Sequence, residues 1–311
     1  MHAHATGTSN TNAGDVPGGR AAKPRRVGPY TLIAALDDPH GTIPVPERRY
    51  IARSIDDAHT VVLSVPYPGS DPQRFLVEAE TSRYLLGPCA APATVIASPA
   101  GPAWYAHPYV PVLPLPTALA VHGGPLPERT VRALGVALAE TLAILHGQGL
   151  TFAGVSPAAV LLAADGPRLT CFGAVRAAAP DGTSRSGLPG LEPGSLPPEQ
   201  AAGGRPRPLG DVYALGATLA YAATGHTTPE RDELPPALRA IITRCLSRDP
   251  GARPQLVEFI HSLTAPSALL TPGWLPGRVI AALVHQSAAV LAAEVSIEPT
   301  PPSTAARPDL D

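Results

Sequence analysis

Phosphate chemistry usually depends on lysine and on oxygen ligands for a divalent cation, and the chain offers few candidates for either role. Its single lysine, Lys23, and its only asparagines, Asn10 and Asn12, all lie near the N-terminus. That stretch is rich in Gly, Ala and Thr and is predicted to be disordered. Whatever chemistry the folded part performs must therefore use neither Lys nor Asn.

Histidine and cysteine do not suggest a metal site either. The ten histidines show no pairing at helical spacing, and His2 and His4 lie in the same N-terminal stretch. The three cysteines, Cys89, Cys171 and Cys245, are odd in number and far apart, which argues against a disulfide framework and against a CxxC zinc site. We therefore expect no metal and no disulfide.

Composition gives no reason to expect nucleic-acid or membrane binding. The net charge is −2 and no basic stripe recurs along the chain. The N-terminus lacks an apolar segment behind positive charge, so no signal peptide is expected. The apolar run of the tail contains His285 and Gln286 and is shorter than about 20 residues, so no transmembrane segment is expected. A helix lying on a membrane surface is the less favoured alternative, and the predicted location is cytoplasmic.

Five short β-rich runs and one helical stretch make up residues 30–113. The β-rich runs are YTLIAAL, RRYIARS, TVVLSV, TVIASP and AWYAHPYVP. The helix is predicted to begin after an N-cap at Asp71, with Pro72 in its first position and with Phe75 and Ala79 on one face. This part of the chain predicts a small twisted sheet that carries one helix.

Helical periodicity dominates the second half of the chain. A long amphipathic helix is predicted to end in the sequence GQG, and a hairpin is predicted around Asp165-Gly166. The almost wholly apolar segment GDVYALGATLAYAATG predicts a buried central helix. Two further helices fit PPALRAIITRCLSRD and PQLVEFIHSL, and Trp274 is expected to anchor an amphipathic tail helix at about residues 275–295.

This order of segments resembles a bacterial serine/threonine protein-kinase domain of the Hanks type over residues 28–265. The sequence HPYVP resembles the hinge between two lobes, GLTFAGVSPAAVLLAADGPRLTCFGAVRA the catalytic loop, hairpin and Asp-Phe-Gly segment, and PGSLPPEQ the end of the activation segment. The resemblance implies an α+β, bilobal, kinase-like fold with a small β-rich N-lobe and a helical C-lobe. It divides the chain into a disordered segment 1–27, an N-lobe 28–113, a C-lobe 114–265 and a tail 266–311.

The same resemblance implies that the catalytic groups have been replaced. In the family a lysine grips the phosphates, an aspartate orients the attacking hydroxyl, and an asparagine and a second aspartate hold Mg²⁺. Those positions here hold Ser64, Gly154, Ala159 and Cys171, none of which carries a positive charge or a carboxylate. Losing one oriented charge typically costs about 10²–10³ in rate. The prediction is therefore no catalytic residue, no metal, and a chain that is not an enzyme.

Residues that support the fold of the family are retained. Glu199 and Arg253 occupy positions where the family forms a buried ion pair, and Asp211 occupies the position that caps the backbone of the catalytic loop. Phe172 and Gly173 of the Asp-Phe-Gly segment are also present. These five residues are predicted to be structural, so the sequence indicates a retained scaffold without its chemistry.

The resemblance also implies a vestigial adenine cleft. Val62 and Leu161 occupy positions that would line it, and the Pro108 carbonyl and the Val110 N–H would be the hinge groups that bind adenine. No cofactor is predicted, although weak ATP binding without Mg²⁺ is left open.

Three further positions have a functional and a structural interpretation. Glu78, with Glu80 as the less favoured alternative, aligns with the glutamate that would pair with the missing lysine, and a solvated position on the helix face is favoured. Cys171 is interpreted as an inert buried thiol rather than a redox-sensitive one, because no basic residue adjoins it in sequence. The sequence TSRS at 183–186 is interpreted as loop rather than as a phosphorylation site.

The favoured hypothesis is a pseudokinase that serves as a protein-binding or allosteric signalling scaffold. Its predicted partners are signalling proteins, including an active kinase or a phosphatase. The first alternative is a weak or atypical serine/threonine protein kinase using ATP, for which Asp37, Asp38, Asp165 and Arg53 are the nearest unassigned charges. The second alternative is a non-catalytic nucleotide or metabolite sensor that uses the vestigial cleft.

Overall fold

A computed structural model describes residues 25–56, 58–173, 190–264 and 273–296. The fold is the predicted α+β, bilobal one. The strands of the N-lobe are β1 (Arg26–Val27), β2 (Tyr30–Ala35), β3 (Arg48–Ser54), β4 (Thr60–Val65), β5 (Val95–Ile96) and β6 (Tyr105–Pro108). They form one antiparallel sheet in the order β1-β2-β3-β4-β6-β5.

Helix α1 (Pro72–Ser82) packs against this sheet as the sequence predicts. Asp71 caps it, because its carboxylate accepts hydrogen bonds from two backbone N–H groups of the first turn at 2.9 and 3.3 Å. Phe75 and Ala79 are buried in the apolar cluster of the sheet, where the Phe75 ring lies 5.4 Å from that of Tyr105. A well-capped helix with one apolar face thus completes the core of the N-lobe.

The C-lobe is built around buried helices. Its helices are α2 (Leu115–His122), α3 (Glu128–Gly147), α4 (Pro198–Ala201), α5 (Pro208–Thr224), α6 (Pro236–Cys245) and α7 (Leu256–Leu263). A second sheet, in the order β7-β8-β9, consists of β7 (Leu113–Pro114), β8 (Val160–Ala163) and β9 (Gly166–Leu169). Helix α5 is buried along almost its whole length, which explains its nearly uniform apolar sequence.

The tail contributes helix α8 (Gly277–Ser296), where an amphipathic helix was predicted at about residues 275–295. Within the described part of the chain, α3 is the one helix long and apolar enough to cross a bilayer. Two thirds of its most apolar window is buried inside the fold, packed against α5 and α7. Long core helices meet the same criteria of length and composition, so α3 by itself argues little for a membrane span.

Two of the predicted domain boundaries are wrong by a few residues. The segment 1–27 was predicted to be disordered, but Val27 pairs with Tyr30 across a turn in which Gly28 adopts a positive φ of 55°. That conformation favours glycine and lets β1 fold back onto β2. The N-lobe was predicted to end at residue 113, but Leu113 pairs with Leu162 in the second sheet and therefore belongs to the C-lobe.

Candidate functional site

Asp211 organises the loop that resembles a catalytic loop. From α5 its carboxylate accepts hydrogen bonds from the backbone N–H groups of Phe152 at 2.8 Å and Ala153 at 2.7 Å. The same carboxylate lies 2.9 Å from Nε2 of His146. The rings of Phe152 and Phe172 meet edge to face at 5.6 Å and join this loop to the Asp-Phe-Gly-like segment. The structure thus brings the predicted scaffold residues of this region together.

Gly154 lies against the backbone of that segment. A Cβ atom added to Gly154 would overlap the carbonyl oxygen of Cys171 and lie 3.0 Å from the amide nitrogen of Gly173. Cys171 itself adopts a positive φ of 62°, and Ala153 one of 52°. The position predicted to have lost a catalytic aspartate therefore has no room for any side chain in this arrangement.

Glu199 and Arg253 form the predicted ion pair in the C-lobe. Two parallel hydrogen bonds of 2.7 and 2.8 Å join the guanidinium to the carboxylate. Arg253 also donates to the backbone carbonyls of Ser247 and Leu209, both at 2.9 Å. Burial alone would raise the pKa of Glu199, but the hydrogen bonds and positive charge of Arg253 hold it below its ordinary value.

Arg49 lies directly opposite Ser64, the position predicted to have lost the lysine. The two residues pair in register across β3 and β4, and Ser64 in turn pairs with Tyr105 on β6. Side chains opposite each other on neighbouring strands have Cβ atoms about 4.5–5.5 Å apart. The short Ser64 side chain is buried, and the Arg49 side chain is fully buried beside it. Arg49 therefore brings a positive charge to the region where the family places its lysine.

The Arg49 guanidinium connects the two lobes. It forms a two-point ion pair with Asp37, which follows β2. It also donates to Thr170 Oγ1 at 3.0 Å and lies 3.8 Å from Cys171 Sγ. Burial alone would lower the pKa of Arg49, but the charges of Asp37, Cys171 and Glu47 raise it above its ordinary value. The guanidinium is consequently charged at every pH at which the protein is folded.

A second carboxylate lies in the same buried cluster. Glu47 Oε1 accepts a hydrogen bond of 2.5 Å from the Tyr105 hydroxyl and lies 3.5 Å from Cys171 Sγ. Burial first, and the negative charge of Glu47 second, raise the pKa of Tyr105 well above its ordinary value. Arg49, Asp37, Glu47, Tyr105 and Cys171 are named the Arg49 cluster below.

The predicted adenine cleft is filled by apolar side chains. Val62 and Leu161 are buried in one cluster with Leu36, which follows β2, and with Ile51 of β3. The Pro108 carbonyl lies 3.3 Å from Nδ1 of His107. Val110 is exposed, and its N–H lies on the hinge beyond the end of β6. Val62 and Leu161 therefore share one apolar cluster, and Tyr109, between Pro108 and Val110 on the hinge, packs against it.

Magnesium, which the family implies, does not fit the residues around this site. Across residues 25–56, 58–173, 190–264 and 273–296, no group of three His, Cys, Asp or Glu side chains is arranged to hold a metal ion. The Asp37 carboxylate is already engaged by Arg49, and the Cys171 sulfur is a soft ligand that Mg²⁺ disfavours. No step of a reaction is therefore assigned to a metal here.

A cavity of about 540 Å³ lies between the lobes and reaches Gly154. Tyr67 and Arg74 line it from the N-lobe, and Glu192 and Asp211 from the C-lobe. The cavity places open space next to the position where the family orients an attacking hydroxyl.

One expectation about an individual residue is wrong. Glu78 was expected on a solvated helix face, but it is 4% exposed on α1. Cys171 is buried, as expected, although Arg49 approaches its sulfur from a strand distant in sequence. The sequence TSRS at 183–186 lies outside the described residues. Sequence reasoning missed the Arg49 cluster altogether, although the alternation of β3 places Arg49 on the same face as Ile51, a cleft residue.

Comparisons with known proteins agree with this geometry. The probable serine/threonine-protein kinase PkwA of Thermomonospora curvata is 32% identical in an alignment of 263 positions that covers 78% of this chain and 34% of that protein. The serine/threonine-protein kinase AfsK of Streptomyces coelicolor is 29% identical in an alignment of 288 positions that covers 83% of this chain and 35% of that protein. The chain carries a bacterial Hanks-type kinase domain. It spans about a third of the length of these relatives.

Structural comparison supports the fold of the kinase domain. The crystal structure of a point mutant of the Mycobacterium tuberculosis PknI kinase domain matches with a TM-score of 0.57 and 22% identity, over 78% of this chain and 98% of that one. No family model matches the sequence. The prediction that the chain is not an enzyme is contradicted, because PkwA and AfsK are both named as serine/threonine-protein kinases.

Proposed function

We propose that this kinase domain is an atypical serine/threonine protein kinase that uses ATP, with Arg49 in place of the lysine that grips the phosphates. Its relatives bear the names of serine/threonine-protein kinases, and its fold is that of a kinase domain. The position of Arg49 opposite Ser64 is the single observation that carries the proposal. Arginine suits the role, because its guanidinium is always charged and its planar fork matches phosphate oxygens.

Phosphate binding would require Arg49 to exchange partners. Asp37 holds the guanidinium in this conformation and is 16% exposed, so its carboxylate can turn towards solvent when a phosphate takes its place. Glu47 keeps its hydrogen bond to Tyr105 during this exchange and limits the net charge of the site. An anionic phosphate would thereby replace one carboxylate beside a fixed cation, which avoids leaving a buried charge unpaired.

Transfer by this domain should be slow. A positioned general base typically contributes about 10²–10⁴ to the rate, and Gly154 supplies none. The cavity that reaches Gly154 offers space for a serine or threonine hydroxyl, whose proton would then pass to water. We propose that the substrates are partner proteins of a signalling pathway, which bind the C-lobe for long enough to offset the slow chemistry.

The test is transfer of labelled γ-phosphate from ATP to a serine/threonine peptide mixture and to the chain itself, measured with the full 311-residue chain. We expect incorporation above that of a heat-denatured sample, a loss of at least about tenfold in Arg49→Met, and partial activity in Arg49→Lys. Arg48→Met is the matched control, because Arg48 neighbours Arg49 but donates instead to the Pro66 carbonyl.

Incorporation equal to that of the denatured sample, or transfer that Arg49→Met does not change, would overturn the proposal. ATP binding that depends on Arg49 without any transfer would favour the nucleotide-sensor alternative.

A further inference from the structure

Helix α8 runs from the C-lobe, across the hinge, to the N-lobe. Three residues before the helix begins, Trp274 Nε1 donates to the Ala164 carbonyl at 3.1 Å, and Thr130 Oγ1 donates to the Trp274 carbonyl at 2.9 Å. Val279 and Leu283 are buried one turn apart on the face that meets the C-lobe. The helix is thus fixed to the C-lobe by its first turns.

The middle of α8 is attached to the hinge by one side chain. Gln286 Nε2 donates to the Val112 carbonyl at 2.7 Å, and its Oε1 accepts from the Val112 N–H at 2.9 Å. The same Oε1 accepts from the Tyr109 hydroxyl at 3.1 Å. Tyr109 lies between Pro108 and Val110, the two predicted adenine anchors. The amide therefore occupies the hinge immediately beside them.

Beyond the hinge, α8 packs against residues predicted to line the adenine cleft and reaches the N-lobe. Val290 is buried in the same apolar cluster as Leu36, Val62 and Leu161. One turn later, Glu294 accepts a hydrogen bond of 2.9 Å from Arg53 and another from Thr60, on strands β3 and β4. Gln286, Val290 and Glu294 lie on one face of the helix, whereas Leu291 is exposed on the other.

We propose that α8 is a lid of the nucleotide cleft, so that docking of this helix and binding of an adenine nucleotide exclude each other. This inference rests on the proposed function, because it assumes that ATP enters the cleft. The apparent dissociation constant of a nucleotide equals the intrinsic constant divided by the fraction of molecules with an open cleft. A lid that is docked in more than about nine molecules out of ten would therefore weaken binding at least about tenfold.

The experiment measures binding of ATP and ADP to the full chain by calorimetry, in the wild type and in two variants. Val290→Asp places a charge in the apolar cluster and should release the lid, so we expect binding at least about tenfold tighter. Leu291→Asp makes the same change on the exposed face of the helix and should leave the affinity unchanged. Hydrogen exchange of the α8 amides, followed in the same samples, reports directly whether the helix is docked.

The possible results distinguish failure of the lid proposal from failure of the proposed function. Tighter binding in Val290→Asp alone, together with faster exchange of α8 when ADP is added to the wild type, would support the lid. Equal affinity in all three chains would overturn the lid and leave the proposed function standing. No binding to a Val290→Asp chain whose α8 exchanges freely would overturn both. Should Val290→Asp fail to fold, Gln286→Ala combined with Glu294→Ala removes the polar attachments and is expected to tighten binding in the same direction.

Discussion

Gly154 and Cys171 are packed backbone to backbone, so that the carbonyl oxygen of Cys171 occupies the space that a side chain at position 154 would need. The positive φ of Cys171 directs its carbonyl into this position. The glycine is therefore required by the surrounding backbone as it stands.

Gly154→Ala should lower the free energy of unfolding by about 1–3 kcal/mol, the usual cost of overpacking, measured by urea denaturation. Gly147→Ala is the control, because nothing lies near its added Cβ at the end of α3, and it should be neutral or stabilising by up to about 1 kcal/mol. Equal effects of the two changes would show that the backbone at Cys171 moves aside without cost. For the same reason, Gly154→Asp should not restore a fast kinase.

Removing the Glu199 carboxylate should be severely destabilising. Glu199→Ala leaves Arg253, whose side chain is fully buried, without its counter-ion, and such losses cost about 3–5 kcal/mol. Glu258→Ala breaks the exposed pair with Arg244, which water and salt screen, and should leave the free energy of unfolding almost unchanged. Chemical denaturation of both variants measures the difference, and similar costs would contradict a bracing role for the buried pair.

His107 should make stability depend on pH. Burial first, and the positive charges of Arg49 and Arg168 as well, lower its pKa from 6.5 in the unfolded chain to about 4, although the Pro108 carbonyl opposes this shift. As pH falls from 6.5, the unfolded state therefore takes up the proton before the native state does. The free energy of unfolding should fall by up to about 3 kcal/mol between pH 6.5 and about 4, and this loss should level off below about pH 4.

The variant His107→Leu isolates this contribution. Its free energy of unfolding should depend less on pH between 6.5 and about 4 than that of the wild type. The control is His226→Gln at an exposed position, which should keep the pH dependence of unfolding that the wild type shows. A wild-type curve that matches that of His107→Leu would contradict the shift.

The buried cysteines should report separately on opening between the lobes and on unfolding of the C-lobe. Cys171 touches Arg49 and Glu47 of the N-lobe, so separation of the lobes exposes it. Cys245 lies in the core of the C-lobe, and burial raises the pKa of its thiol to about 12. At about pH 8 a thiol reagent should label Cys171 first, as identified by mass spectrometry. Val290→Asp should accelerate labelling of Cys171 and not of Cys245, whereas faster labelling of Cys245 would contradict this order.

Local patterns were sufficient to predict much of the fold. The Asp71 cap and the buried helix α5 follow from short-range chemistry, namely a capping carboxylate and a segment apolar on every side. The wrong boundary at residue 113 has the opposite cause. Leu113 joins the second sheet by pairing with Leu162, which lies 49 positions away, and no local pattern specifies such a pair.

The site was harder to predict because its positive charge lies on a different strand from the position that aligns with the lysine of the family. Ser64 stands where the family has a lysine, and the positive charge lies instead on the opposite strand, at Arg49. Arg49 fills that space from β3, and its partner Asp37 was named only as an unassigned charge. Glu78 was misjudged for a similar reason, since its burial depends on how α1 is rotated against the sheet.

The Gln286 amide is also a template for a small molecule that would bind this protein. It presents a donor and an acceptor side by side to the backbone of one residue, Val112, next to an apolar group that fills the cluster at Leu36. A flat lactam or aminoheterocycle carrying a branched alkyl group would offer the same edge and the same apolar volume without the rest of the helix. Such a compound would be selected by its displacement of a segment of the protein's own chain, and it needs no resemblance to a nucleotide.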